Sequence, residues 1–292
     1  MSGGSIGGVI TAMITPFAED GGVDVDAGRR LARHLIERGS HGVVVAGTTG
    51  ESPTLSDAEQ LELLAAVVEE IGEQAIVLCG TGTNDTRHSV ELTEAAGAAG
   101  ADAMLVVTPY YNKPNPAGLR AHFRAVAAAT DRPIVLYNIP SRCVVNVDPP
   151  LLAEIAAENE NVVAVKQANN DDLGPIDGLA ILAGNDEIFL RTLEIGGAGG
   201  ILVASHLVGD EIRQIYDAMQ SGDAETARSV DERLQPIYEA TALTSNPIPV
   251  KTALAMLGLD SGRMRLPMVD ADDEQRAAIR AALESHGLLT TA

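Results

Sequence analysis

Eight short segments made mostly of apolar residues recur along the 292-residue chain. Near-continuous apolarity is typical of strands in a parallel sheet that is covered on both faces, whereas strands with one solvated face alternate apolar and polar residues. The segments span residues 8–14, 42–46, 75–79, 103–107, 134–137, 162–165, 179–183 and 200–203. Eight such segments predict a closed barrel of parallel strands.

Helical patterns separate these segments and continue beyond the last one. Residues 56–59, Ser-Asp-Ala-Glu, form a capping box before an amphipathic segment, and Asp148 followed by two prolines is typical of a helix start. Further helices are predicted at residues 206–219, 224–241, 249–257 and 273–285. The last three exceed what eight strand–helix units need. The sequence therefore predicts an α/β fold, a (β/α)8 TIM barrel over residues 1–223 with a C-terminal helical extension over residues 224–292.

Charge and composition exclude several classes of function. The formal charge of −21 disfavours binding to nucleic acids or to anionic membranes. No apolar stretch reaches the roughly 18 residues that a membrane span needs, and residues 1–5 lack the pattern of a signal peptide. Cys79 and Cys143 form no spacing motif, which indicates a reducing compartment, and the six histidines include no metal-type pair. We therefore expect a soluble cytoplasmic protein that needs no metal or other cofactor.

Only three lysines occur in the chain, and one of them closes a predicted strand. Lys166 follows the apolar residues 162–165, and ligands of parallel barrels bind at the carboxyl ends of the strands. Burial lowers the pKa of a lysine from about 10.4, and a neutral amine can attack a ketone to form an imine. The alternative is a solvated lysine at a strand end. Lys113 is expected to be solvated and Lys251 to have a packing or interface role, which leaves Lys166 as the candidate nucleophile.

Polar and aromatic residues follow other predicted strands. Residues 47–51, Gly-Thr-Thr-Gly-Glu, can direct backbone N–H groups and hydroxyls at a carboxylate. Tyr137, at the end of the fifth strand, can exchange protons with a neighbouring amine, and Arg142 offers a guanidinium for a carboxylate. Taken singly, the tyrosine is more typical of a packed ring, and the arginine is equally consistent with a surface ion pair.

These motifs together resemble one enzyme family. They include residues 108–114 (Thr-Pro-Tyr-Tyr-Asn-Lys-Pro), 137–142 (Tyr-Asn-Ile-Pro-Ser-Arg), 196–201 (Gly-Gly-Ala-Gly-Gly-Ile) and 246–251 (Asn-Pro-Ile-Pro-Val-Lys), besides residues 47–51 and Lys166. The same motifs occur in the same order in the dihydrodipicolinate synthase family, and the resemblance runs from about residue 8 to residue 289. It implies condensation of pyruvate with L-aspartate 4-semialdehyde to 4-hydroxy-tetrahydrodipicolinate, in lysine and diaminopimelate biosynthesis.

The resemblance also implies roles for individual residues. Lys166 would form the imine with pyruvate, and Tyr137 would transfer protons. Thr48 would link Tyr137 to Tyr111. Tyr111 would act in the site of a neighbouring subunit, within a homotetramer built as a dimer of dimers. Arg142 would bind the carboxylate of the aldehyde. Three further residues would line the pyruvate pocket: Thr49 would hold the pyruvate carboxylate, and Gly184 and Ile201 would contribute backbone groups.

The chain departs from the family pattern in two places, beside the predicted pocket and in the allosteric lysine site. Residues 167–170 read Gln-Ala-Asn-Asn where Glu-Ala and small residues are usual, and residues 184–186 read Gly-Asn-Asp in place of Gly-Asp-Asp. The second place is the allosteric lysine site. Ser52, Asn84 and Tyr110 match the family's contacts, whereas Asp57, Gln60 and His88 replace two histidines and a glutamate of feedback-inhibited members. These changes predict weak or absent inhibition by lysine, unless Asp85 compensates.

Two other functions fit parts of the same pattern. A sibling enzyme, such as a 2-keto-3-deoxy sugar acid aldolase or an N-acetylneuraminate lyase, shares the lysine and the tyrosine. Arg142 argues against a sialate lyase, because those enzymes lack it. A catalytically inactive pyruvate-binding or regulatory protein is the third possibility, and the complete set of Lys166, Tyr137, Thr48 and Tyr111 argues against it.

Overall fold

Eight parallel strands close into a barrel in the computed structural model of the chain, which describes residues 6–289. The strands are β1 (Gly8–Ala12), β2 (Gly42–Val45), β3 (Ile76–Gly80), β4 (Ala103–Val107), β5 (Ile134–Asn138), β6 (Val162–Gln167), β7 (Ala180–Ala183) and β8 (Gly199–Leu202). Each strand pairs with the next in sequence, and β8 closes the barrel against β1 with Ile10 opposite Ile201. All eight predicted strands are confirmed, and so is the TIM-barrel fold.

Helices surround the barrel and continue past it. They are α1 (Val25–Glu37), α2 (Asp57–Ile71), α3 (Thr86–Ala98), α4 (Pro116–Ala127), α5 (Pro140–Cys143), α6 (Pro149–Glu158), α7 (Phe189–Glu194), α8 (Ser205–Ser221), α9 (Ala224–Thr241), α10 (Ile248–Met256) and α11 (Asp273–Ser285). The predicted capping box is present, because the Glu59 N–H donates to Ser56 and the Glu59 carboxylate accepts from the Ser56 N–H. Asp148 caps α6 by accepting from the N–H of Leu151.

One crossover lacks the helix that a regular βα unit would have. Between β6 and β7, residues 168–179 contain a 3-10 turn, Asn170–Asp172, and an isolated bridge between Ile176 and Leu179, but no α-helix. The segment includes Gly174, Pro175 and Gly178, which disfavour a helix interior. The missing helix thus leaves an irregular connection at the carboxyl end of β6, beside the site described below.

The core has two layers, which explains the near-continuous apolarity of the strands. One set of strand side chains, including Ile10, Val44, Leu78, Val135 and Ile201, packs inside the barrel. The alternate set packs outward against the helices in a second cluster. Because successive side chains of a strand point to opposite faces, both sets must be apolar here.

The helices after the barrel begin at Ala224, the residue where the extension was predicted to start. Helix α9 packs along α8, and α10 and α11 pack on one another and on α9. The division into residues 1–223 and 224–292 stays a prediction. Among residues 6–289, every helix is too short or too polar to cross a lipid bilayer.

Candidate active site

A cavity of about 240 Å³ lies at the carboxyl ends of the strands. Its barrel wall is formed by Thr48, Thr49, Tyr137, Ile139, Ser141, Arg142, Lys166, Gly184, Asn185, Asp186, Glu187 and Val203. Its other wall comes from the end of α9 and the segment that follows, through Tyr238, Thr241, Ala242, Thr244, Ser245 and Asn246. The position agrees with the rule that TIM barrels bind ligands at this face.

Lys166 lies on β6 with its amine buried in this cavity. The residue is 4% exposed, and its Nζ lies 4.4 Å from the centroid of the Tyr137 ring on neighbouring β5. Burial lowers the pKa of Lys166 to about 8; the charge of Arg142 adds to this effect and that of Asp186 opposes it. A substantial fraction of the amine is therefore neutral near physiological pH and able to act as a nucleophile.

Tyr137 brings a phenol to the same place. It is 5% exposed, and burial raises its pKa to about 12, although Arg142 and a hydrogen bond with Thr48 both lower it. The hydroxyl is thus protonated near neutral pH and can donate its proton to an oxygen bound beside Lys166. The fold places Tyr137 and Lys166 together because they are register partners on adjacent strands.

The loop after β2 carries two threonines into the cavity. Thr49 is 2% exposed, and its Oγ1 accepts a hydrogen bond of 2.9 Å from Asn246 Nδ2. The carbonyl of Gly50 accepts a bond of 2.7 Å from the Thr15 hydroxyl, which ties the loop to the chain after β1. Thr48 and Thr49 therefore face the cavity from a loop that is held at several points.

Arg142 and Gly184 complete the predicted wall. Arg142 lies on α5 with an exposed side chain, and its Nη2 donates to the carbonyl of Asn246 at 3.2 Å. Gly184 follows β7, and its N–H donates to the carbonyl of Gln167 at 2.8 Å. A Cβ at residue 184 would lie 2.7 Å from that same oxygen, so only glycine lets the two backbones approach this closely.

Two predicted residues lie outside the cavity wall of this chain. Ile201 is fully buried on β8 inside the barrel. Tyr111 is 86% exposed, in a left-handed conformation with φ of 69°, and its ring lies outside the cavity. The roles implied for both stay predictions.

Sequence reasoning had assigned no role to several residues that line the cavity. Asp186 is the most prominent, because its buried carboxylate accepts hydrogen bonds from the N–H groups of Val203 and Ala204 at 2.9 and 3.1 Å. Burial raises its pKa to about 6, against the effect of those two hydrogen bonds. Asn246 belongs to the predicted extension, and only the return of the chain after α9 brings it over the barrel. No local pattern identified Tyr238.

A second cavity of about 160 Å³ lies between the start of α2, the start of α3 and Tyr110. Asp57 and His88 are hydrogen-bonded across it, with His88 Nε2 and Asp57 Oδ1 2.9 Å apart. Gln60 is 3% exposed, and its Nε2 donates to the carbonyl of Gly80 at 2.6 Å. All three replaced residues of the predicted lysine site therefore line one cavity, and each is already bonded within the chain. Among residues 6–289, no cluster of His, Cys, Asp or Glu is arranged to hold a metal ion.

Comparisons with known proteins agree with this geometry. The profile of the Dihydrodipicolinate synthetase family matches residues 5–286. The chain is 45% identical over 291 residues to the 4-hydroxy-tetrahydrodipicolinate synthase of Moorella thermoacetica, covering 97% of this chain and 99% of that protein.

Two solved structures have the same fold. The dihydrodipicolinate synthase of Cyanidioschyzon merolae with lysine bound superposes with a TM-score of 0.94, at 38% identity and with 97% of this chain and 99% of that chain covered. The enzyme of Acinetobacter baumannii complexed with pyruvate also gives a TM-score of 0.94, at 34% identity and with coverage of 98% and 100%. Sequence and structure agree over nearly the whole length, and the chain therefore belongs to the dihydrodipicolinate synthetase family.

Proposed function

We propose that this chain is a lyase that condenses pyruvate with L-aspartate 4-semialdehyde through an imine on Lys166, giving 4-hydroxy-tetrahydrodipicolinate for lysine and diaminopimelate biosynthesis. The observation that carries the proposal is the buried Lys166 amine, 4.4 Å from the Tyr137 ring, in a cavity at the carboxyl ends of the strands. Relatives named 4-hydroxy-tetrahydrodipicolinate synthase support this reaction over that of a sibling aldolase.

The reaction begins with the neutral Lys166 amine attacking the ketone carbon of pyruvate. Tyr137 donates its proton to the carbinolamine oxygen, which leaves as water and yields the imine. The Tyr137 phenolate left by this step then takes a methyl proton, which gives an enamine whose carbon attacks the aldehyde. Thr48 and Thr49 face the cavity from the loop after β2, where hydroxyl and N–H donors suit the carboxylate of pyruvate.

Arg142 is our candidate for recognising the second substrate. Its guanidinium lies at the exposed edge of the cavity, where it meets the aldehyde after pyruvate is bound. In a chain of net charge −21, a local cation offsets the general repulsion of an anionic substrate. An Arg–carboxylate pair also fixes the orientation of the substrate through two parallel hydrogen bonds.

We expect Arg142→Ala to lower kcat/KM for aspartate semialdehyde by about 10- to 100-fold, the range for a lost charge-assisted hydrogen bond. Imine formation with pyruvate should change far less, because only the aldehyde's carboxylate meets this side chain. Borohydride trapping measures the first half-reaction, and the condensation rate measures the second. Trapping is best done at about pH 9, where Lys166 is mostly neutral in both proteins.

The same assay with a panel of aldehydes tests the proposed reaction itself. Aspartate semialdehyde should be the preferred acceptor, and uncharged sugar aldehydes should react poorly in the wild type. An equal loss of both half-reactions in Arg142→Ala would contradict the assigned role. A preference for sugar aldehydes would instead favour a sibling aldolase.

We further propose that the protein assembles as a homotetramer, built as a dimer of dimers, and works in the cytoplasm. Tyr111 is exposed, while a neighbouring pocket of about 200 Å³ is lined by Thr48, Tyr110 and Arg142, so a tyrosine from a second copy would complete the proton path there. Cys79 and Cys143 are both unpaired and buried, in keeping with a reducing compartment. Sedimentation over a range of protein concentrations tests the assembly.

We expect lysine to inhibit the condensation only weakly, with half-inhibition above about 1 mM. A bound lysine must exchange its hydration for matched partners inside the cavity, and the Asp57 carboxylate and the His88 ring are already hydrogen-bonded to each other there. We do not expect Asp85 to replace the missing carboxylate, because its side chain caps α3 by accepting from the N–H of Arg87 and is not part of the cavity wall. Titration of lysine against the condensation rate measures the effect.

The reciprocal experiment uses the triple variant Asp57→His/Gln60→His/His88→Glu, which carries the residue types of inhibited relatives. It should gain sensitivity to lysine with little change in the uninhibited rate. Strong inhibition of the wild type at sub-millimolar lysine would show that the replaced residues still form a working site.

A further inference from the structure

The function proposed above leaves one buried charge pair without a role. Lys251 on α10 and Glu51 after β2 have side chains 0% and 2% exposed, and Lys251 Nζ lies 2.6 Å from Glu51 Oε1. Nζ also donates to the carbonyl of Arg263 at 2.7 Å and lies 4.2 Å from the centroid of the Phe17 ring. The second oxygen of Glu51 accepts from the N–H of Arg265 at 3.1 Å. Both carboxylate oxygens are thus bonded to the chain beyond the barrel.

Such a pair is a poor way to gain stability. Removing two charges from water costs about as much as their attraction returns, and apolar residues of similar volume often serve equally well. What a buried pair does supply is a directional constraint, because either charge is strongly unfavourable without its partner. Glu51 is therefore held where Lys251 and the N–H of Arg265 can reach it.

The position of Glu51 matters because the residue ends the loop that carries Thr48 and Thr49. Its backbone is left-handed, with φ of 54°, and its N–H donates to the carbonyl of Thr48 at 3.1 Å. A shift of residue 51 would break this bond and move both threonines. The loop is thus anchored from within by its last residue.

The same segment, residues 246–251, contacts this loop at a second point. Asn246 Nδ2 donates to the hydroxyl of Thr49, five residues before Lys251 in the chain. The carbonyl of Asn246 also accepts from Arg142. Residues 246–251 therefore connect the loop after β2 with the helix after β5, across the mouth of the cavity.

We propose that Glu51 and Lys251 are positioning residues for the pyruvate site, holding Thr48 and Thr49 where the pyruvate carboxylate binds. This inference rests on the proposed function, because it takes pyruvate as the first substrate. Neither side chain lines the cavity, so both act through the loop.

The charge pair can be removed one side at a time and then as a whole. Lys251→Met and Glu51→Gln each remove the bonded partner of a buried charge, and the loop must move to hydrate that charge or a proton must be exchanged. The double variant Glu51→Gln/Lys251→Met is neutral and keeps an acceptor for the N–H of Arg265. We expect the concentration of pyruvate that half-saturates borohydride trapping to rise about tenfold or more in each single variant. The double variant should lie closer to wild type than either single variant.

Two controls separate positioning from general loosening. Leu254→Ala removes a fully buried side chain from the same helix without touching the charge pair, and its Tm gives a matched loss of stability. Arg228→Met breaks an exposed ion pair with Glu194, between α9 and α7, and should leave pyruvate saturation unchanged. Among variants with an equal loss of Tm, only the Glu51 and Lys251 single variants should need a higher pyruvate concentration to half-saturate trapping. In these two variants, KM for the aldehyde should change less than that pyruvate concentration does.

The outcomes are distinct. If Leu254→Ala raises the pyruvate requirement as much as Lys251→Met does, or if the single variants saturate as the wild type does, the positioning role is overturned while the proposed function stands. If the wild type forms no pyruvate adduct, both are overturned. Should Lys251→Met fail to fold, the comparison of Glu51→Gln with the double variant decides the result in the same way.

Discussion

Lys166→Met should lose on the order of 10⁴-fold or more of the condensation rate and should form no borohydride-stable adduct with pyruvate. Methionine nearly matches the length of the lysine side chain and suits a site that is 4% exposed, so the fold should be kept. The covalent route disappears with the amine. The remaining groups of the cavity can bind substrates but cannot activate pyruvate as an enamine.

The adduct can be placed on a single residue by mass spectrometry. Trypsin does not cleave after a modified lysine, so a carboxyethyl group on Lys166 should join residues 143–166 and 167–191 into one peptide. Lys113→Met, which removes an exposed lysine, is the control and should label as the wild type does. Labelling of Lys113 or Lys251 in the wild type would refute the assignment.

The rate of trapping should also depend on pH in a defined direction. The amine attacks only when neutral, and burial lowers the pKa of Lys166 to about 8. Below that pH the rate at low pyruvate should fall by about tenfold per pH unit, and above it the rate should level off. An amine with the ordinary pKa of about 10.4 would still be gaining rate at pH 9.

Tyr137→Phe should keep the fold and lower kcat by about 10² to 10⁴, the usual contribution of a general acid–base group. The ring still packs against the Lys166 side chain, but no hydroxyl remains to protonate the leaving oxygen of the carbinolamine. Single-turnover trapping should be slowed by a similar factor, since dehydration of the carbinolamine precedes the imine.

The matched control is Tyr216→Phe, which makes the same change in a ring that packs edge-on against His41, away from the cavity. It should behave as the wild type does. Near-normal turnover of Tyr137→Phe would show that another group moves the protons. Asp186, which lines the same cavity with a pKa raised to about 6, would then be the first to examine.

The amino-acid sequence was enough to predict the barrel, because the signals for its strands and helices are local. Each strand is buried on both faces, so its apolar run is visible without knowledge of its neighbours, and helix caps such as those at Ser56 and Asp148 are local signals as well. Position at a strand end was likewise sufficient to make Lys166 and Tyr137 candidate site residues, since all carboxyl ends of a parallel barrel meet at one face. The motifs then indicated the family.

Long-range contacts decided the rest. The sequence placed Asn246 and Lys251 in an appendage, whereas the chain after α9 returns over the barrel, so that Asn246 bonds Thr49 and Lys251 pairs with Glu51 at a separation of 200 residues. Burial of Lys166 and Asp186, and hence the opposite shifts of their pKa values, depends on how much solvent every surrounding element excludes. Apolar strand segments and helix caps depend on neighbours in sequence, so the chain by itself determined the fold and pointed to Lys166 as the candidate amine. Desolvation and ion pairing depend on neighbours in space. Only the tertiary structure therefore decided the pKa of the Lys166 amine and the contacts that hold the loop beside it.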